Sequence, residues 1–127
     1  MKRTWHQQFA RKPKADRTSF DGIEHDSVAE MRRWIELRNL ETRGLVRDLQ
    51  RQVSFPLRLD ADRAVKTPSG RIASYKPDFV YQRLIDGQWQ LVIEDVKGWV
   101  DATAQLRIAI FEACYNVTVS IHKGKSR

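Results

Sequence analysis

The sequence predicts an α/β fold: a single domain in the order α-β-β-β-α-β, with a mixed sheet flanked by helices. Three observations lead there. A chain of 127 residues is long enough for one core and short for two. Its 41% hydrophobic content, with four Trp, five Phe and three Tyr, is that of a packed globular protein rather than a disordered one. Two segments repeat apolar residues at helical spacing, while shorter ones alternate as half-buried strands do.

The elements follow in order. From Ser27 to about Arg43, "SVAEMRRWIELRNLETR" reads as a helix. At about 100° per residue, Val28, Met31, Trp34, Ile35 and Leu37 share one half, with Arg32, Arg33, Glu36, Asn39 and Arg43 on the other. Gly44 is the expected stop. "QVSFPLRL", 52–59, alternates Val53, Phe55, Leu57 and Leu59 as a strand, and Pro56 favours a sheet edge. "DADRAVKTPSGR" is a turn-rich connection. Residues 71–81 form a second strand, "IDG" at 85–87 turns the chain, and 88–97 form a third that Gly98 ends. "DATAQLRIAIFEACY", 101–115, is a second helix with Leu106, Ile110 and Phe111 inward, and "VTVSI", 117–121, is the closing strand. No internal repeat or low-complexity tract interrupts this order.

Charge divides the chain. Residues 1–20 hold six basic residues and one acid, and 123–127 hold three basic residues and no acid. The stretch between them carries 14 basic and 15 acidic residues, so the overall +7 resides in the ends. The reading is a basic N-terminal arm over 1–20, a folded domain over 21–122 and a basic tail over 123–127. A near-neutral body with basic ends suits a polyanion, and nucleic acid is the expected partner. No apolar run approaches the roughly 20 residues that span a bilayer, and "MKRTWHQQFARKPKADR" lacks a secretory apolar segment, so a cytoplasmic location is expected. The lone Cys114 excludes an internal disulfide and a cysteine-rich zinc site, and its helical apolar context reads as core. His6, His25 and His122 are scattered and suggest no metal or nucleophile pair.

One strand poses a chemical question. Trp89, Leu91, Ile93, Asp95 and Lys97 fall on one face in steps of two, so a face that begins apolar ends in two charges. Burying a charge costs several kcal/mol or more (about 3–5 for an unpaired partner) unless it is paired or holds a metal. On the preceding strand Ile72, Ser74, Lys76, Asp78 and Val80 share a face. If 71–81 and 88–97 pair as a hairpin, Asp78 and Asp95 converge, while Glu94 points to the opposite face. Converging carboxylates repel, which a divalent cation between them relieves. Oxygen ligands without Cys or His suit Mg²⁺ or Mn²⁺ rather than Zn²⁺. Lys97 then stands where it can meet a phosphate or orient a water. The ordinary alternatives are Asp78 paired with Lys76 or Arg71, and Asp95 and Lys97 at an exposed strand end. Glu30 lies at an inward angle on the first helix, yet Ser27-x-x-Glu30 is also a capping box, so a site role and a cap both stand.

Pro77-Asp78 followed by Asp95-Val96-Lys97 resembles the PD-(D/E)xK nuclease superfamily. The likeness extends through "FDGIEHDSVAEMRRWIELRNLETRGLVRDLQRQVSFPL", "YKPDFVY" and "VIEDVKGW". It is nearest to a small phage-borne family of uncharacterised, resolvase-like proteins with a D-G-I, D-S-x-x-E, L-x-x-Q and E-D-V-K-G succession. The resemblance covers roughly residues 20–117. It implies a restriction-endonuclease-like core and Mg²⁺- or Mn²⁺-dependent cleavage of DNA by one or two ions. Residue by residue, Asp78 and Asp95 match the acidic ligands, Glu30 the helix glutamate, Lys97 the catalytic lysine and Arg107 a commonly basic position on the following helix. Many relatives carry glutamate where Asp95 stands, one methylene longer. Lys76 and the arm residues Arg11, Lys12, Lys14 and Arg17 are further expected DNA contacts, from charge alone.

The expected activity is therefore endonucleolytic, on branched recombination or replication intermediates in the manner of Holliday-junction resolvases, in a phage or prophage protein of a bacterial host. A four-way junction needs two nicks, so a homodimer is the accompanying expectation. Two alternatives differ in class or substrate: a non-catalytic DNA-binding module of the same fold, and a transposase-type endonuclease subunit acting on duplex DNA. The complete acidic-acidic-lysine set argues against the first. No membrane partner is expected, and no strand carries the aromatic stacking pattern of RNA-binding modules.

Overall fold

The computed structural model describes residues 18–20, 23–25 and 27–124. In chain order, β1 (Thr18–Phe20) and β2 (Ile23–His25) pair antiparallel, and α1 (Val28–Thr42) follows. Next come β3 (Val46–Arg51), β4 (Phe55–Pro56), β5 (Ser74–Tyr75), β6 (Phe79–Ile85) and β7 (Gln88–Val96). Finally α2 (Ala102–Tyr115) leads to β8 (Val119–His122). The central sheet has the order β3-β6-β7-β8, antiparallel except for the parallel β7–β8 pair, which α2 makes possible as the crossover. The mixed α/β architecture is the one the sequence predicts. Among the described residues no helix is long and apolar enough to cross a membrane.

Local chemistry explains the element ends. The Ser27 hydroxyl caps α1 by accepting the Glu30 N–H at 3.1 Å, and Gly44, at φ 77°, carries the chain out of it. Asp86 and Gly87, at φ 51° and 77°, form the tight turn between β6 and β7, where two positive φ values match the strand twist. The Asp101 side chain caps α2 by accepting Ala104 N–H at 2.7 Å.

Each face of the sheet has its own core. Trp34 and Leu37 of α1 pack on Val46, Phe79, Tyr81 and Val96, with the Trp34 and Phe79 rings stacked 6.0 Å apart. Phe111 of α2 packs on Leu57, Tyr75, Ile93 and Val119. The pleat sends alternate residues of β7 to opposite sides, so Val96 faces α1 while Ile93 faces α2. After β8 the chain passes α1 closely: a Cβ at Gly124 would lie 2.7 Å from Ala29 Cβ, so only glycine fits there.

Several boundaries differ from the sequence reading. The strand paired to β6 is Val46–Arg51, a stretch to which the sequence reading assigns no element. A register shift between Arg47 and Gln50, with Asp48 at φ 54°, breaks its alternation and hides it from a period-two reading. The 52–59 segment contributes only the short β4, paired with β5, and Leu59 is 56% exposed. The expected strand 71–81 is two strands, separated by Lys76-Pro77-Asp78. Leu106, expected inward, is 63% exposed because it lies about 140° around the helix from the buried Phe111. Leu91, read as core, is exposed. Arg33, placed on the outer half of α1, turns inward to Glu94. β1 also falls within the stretch read as the arm. Cys114 packs against the second core, as read.

Candidate active site

Pro77 creates the site. It is fully buried and has no N–H to continue a ladder, so β5 ends before it and β6 starts two residues later. The last backbone pair of β6 and β7 is Phe79 with Glu94, which sets Asp78 opposite Asp95. Beyond that pair the side chains take over from the backbone. Asp95 Oδ1 accepts the Asp78 N–H at 3.0 Å, and Asp78 Oδ2 accepts the Val96 N–H at 2.8 Å. Each aspartate thus clasps the other strand's backbone, and the two carboxylates are held together at the strand ends. Neither pairs with Lys76 or Arg71, so the ordinary ion-pair alternatives do not apply.

Further groups complete the surroundings. The Tyr75 hydroxyl donates to Asp95 Oδ2, and burial followed by Asp95 itself pushes that phenol well above its ordinary range. Glu30, 4% exposed, has Arg51 Nη2 at 3.6 Å from its Oε1. Lys97 is half-buried one step past β7, with its N–H donating to His122 O at 3.0 Å, and it forms no ion pair among the described residues. Asp95, Glu30 and Lys97 all bear electrostatically on Asp78. Its carboxyl is pushed up to about 7, chiefly by burial and then by Asp95 and Glu30; the Val96 N–H and Lys97 pull the other way.

The donor set fits a hard divalent cation in part. Of the four oxygens on Asp78 and Asp95, only Asp78 Oδ1 receives no hydrogen bond among the described residues. Asp78 is half-buried and faces the buried Asp95, and paired negative charge of this kind is what a cation relieves. Among the described residues no three His, Cys, Asp or Glu side chains are gathered where they could hold a metal ion, so Glu30 does not join Asp78 and Asp95 as a third direct ligand. A Mg²⁺ ion does not need a third: it keeps several waters and is held by one or two carboxylates plus substrate phosphate.

Glu94 stays out of this group, as its strand parity implies. It is buried on the α1 face, where Arg33 Nε and Nη2 donate to it at 2.8 and 2.9 Å and Tyr81 donates at 2.7 Å. Lys76 and Arg107 are exposed, Arg107 on α2. Arg11, Lys12, Lys14 and Arg17 lie outside the described residues. Sequence reasoning missed Tyr75, Arg51 and the Arg33–Glu94–Tyr81 network. On an unbroken strand Tyr75 and Asp78 would face opposite ways; the break at Pro77, visible in the sequence, is what lets both meet Asp95.

No curated protein and no solved structure matches the chain. One family matches across residues 10–125, nearly the whole sequence, and its description is "Protein of unknown function (DUF1064)". The chain belongs to that family of proteins of unknown function.

Proposed function

We propose that this chain is a Mg²⁺- or Mn²⁺-dependent endodeoxyribonuclease of the PD-(D/E)xK type. Its substrate class is branched DNA from recombination or replication, and its place of work is the cytoplasm of a bacterial host. The observation that carries the reading is the reciprocal clasp of Asp78 and Asp95 across the ends of β6 and β7, with Lys97 one step on and Glu30 acting on Asp78 from α1.

In this reading Asp78 and Asp95 would hold the ion, with the Glu30 carboxylate adding to the negative charge that attracts it. Held there, a Mg²⁺ or Mn²⁺ ion would supply Lewis-acid polarisation of the scissile phosphate and a water of lowered pKa. Tyr75 and the backbone N–H groups of Asp78 and Val96 keep both carboxylates in place. Lys97, with no acid partner among the described residues, is available to stabilise the charge that develops on the phosphate. Lys76 and Arg107 meet the DNA backbone, together with the basic arm.

The test is incubation of the purified protein with labelled linear duplex, flap, fork and four-way-junction DNA, in Mg²⁺ and in EDTA. The expected result is cleavage of the branched substrates in Mg²⁺ and none in EDTA. Intact substrates in both Mg²⁺ and Mn²⁺ would leave only a non-catalytic DNA-binding module.

A further inference from the structure

The stretch that reads in the sequence as a turn-rich connection is a bonded platform beside the site. The chain passes through it three times, and each pass bonds to the other two. Leu57 N–H donates to Ala73 O, Ala73 N–H to Val65 O and Val65 N–H to Leu57 O, each at 2.8 Å. Leu59 N–H to Arg63 O at 2.9 Å and Thr67 N–H to Arg71 O at 2.8 Å brace its two turns. Leu57, Val65, Ala73 and Tyr75 anchor it in the core beneath Phe111.

With Leu57 and Val65 inward, extended geometry turns their neighbours Arg58 and Lys66 outward; both are exposed, as are Arg71 and Lys76. Residues 57–76 hold five basic residues and two acids. Arg63 is already held by Asp60 at 2.8 Å. The other four form no ion pair with any described residue. Exposed cations without acidic partners do nothing for the core beneath and leave the surface positively charged. The platform is also tied to the chemistry: Tyr75 bonds Asp95, and Lys76 leads through Pro77 to Asp78.

We propose that this platform is the surface on which duplex DNA lies as it enters the site, with Arg58, Lys66 and Arg71 each meeting a backbone phosphate. The inference rests on the nuclease reading for why a duplex is held there. Phosphate contacts carry no sequence information, so the platform orients DNA without selecting a sequence.

The test is duplex binding by the full chain in EDTA from 50 to 200 mM salt, comparing wild type with R58Q/K66Q/R71Q and with the charge-preserving R58K/K66R/R71K. Each lost phosphate contact lowers the slope of log K against log salt by about 0.9. The neutralised variant is expected to lose about 2 to 3 from the slope while keeping the wild-type melting temperature. The charge-preserving variant keeps the slope. An unchanged slope in the neutralised variant overturns the platform, even if the protein cleaves DNA. A reduced slope in a protein that never cleaves upholds the platform and sinks the nuclease reading instead.

Discussion

Replacing Asp78 by Asn should make the metal-free protein more stable at pH 8. The carboxyl is pushed from 3.8 to about 7, with burial the largest cause. A group whose pKa is raised by folding is favoured in its neutral form, so its stabilising contribution is full below the unfolded pKa and lost as pH rises through 7. At pH 8 the fold therefore bears the cost of an ionised Asp78. Three pKa units correspond to about 4 kcal/mol at most, and the partial solvent exposure of Asp78 brings the figure to about 2 kcal/mol. Asn conserves the shape and still offers an oxygen to the Val96 N–H that Asp78 Oδ2 now accepts at 2.8 Å. For a chain of this size, about 2 kcal/mol is about 8 °C in melting temperature. The assay is urea and thermal unfolding in EDTA at pH 8 and pH 4, where the gain should shrink. Mg²⁺ should then stabilise the wild type at pH 8 and the variant far less. A less stable Asp78→Asn at pH 8 in EDTA would refute the reasoning, since the carboxylate would then serve the fold alone.

Other expectations can be checked alongside. Tyr75→Phe removes the donor to Asp95 Oδ2; it should cost about 1–2 kcal/mol and raise the Mg²⁺ concentration needed for half-maximal cleavage, as a Mg²⁺ titration would reveal. Arg33→Met strands the buried Glu94 and should cost about 3–5 kcal/mol in urea unfolding, whereas Arg33→Met with Glu94→Met should recover most of it. Tyr81, pushed up to about 12 by burial and then by Glu94, donates to that carboxylate at 2.7 Å. Its contribution is full below about pH 10 and fades as pH rises through 12, so Tyr81→Phe should flatten part of the alkaline loss of stability in a pH-resolved urea series.

The placement of the charges on β7 is legible because strand parity is a strict rule. Asp95 and Lys97 continue a face that begins with Trp89, Leu91 and Ile93, and a charge there has to be explained. The same parity separates Glu94, which the structure finds bonded to Arg33 and Tyr81 on the other side. Where the pleat is broken, that rule fails. The shift near Asp48 conceals β3, and the break at Pro77 regroups Tyr75 with Asp95. Arg33 is misplaced for a different reason: a long side chain at the border of the apolar stripe can reach a buried partner that the helical wheel cannot see. The platform's three-way bonding depends on contacts between Leu57, Val65 and Ala73 that no local pattern announces.

The account turns on whether the clasped carboxylates and their lysine cut a phosphodiester bond. Single-turnover cleavage of a labelled four-way junction in Mg²⁺, by wild type and by Asp78→Asn, Asp95→Asn and Lys97→Met, asks this directly. The account predicts wild-type cleavage that EDTA abolishes, and a loss of about 10²–10³-fold or more in each variant with DNA binding retained. Equal cleavage by wild type and Lys97→Met, or cleavage that persists in Asp78→Asn, would contradict it.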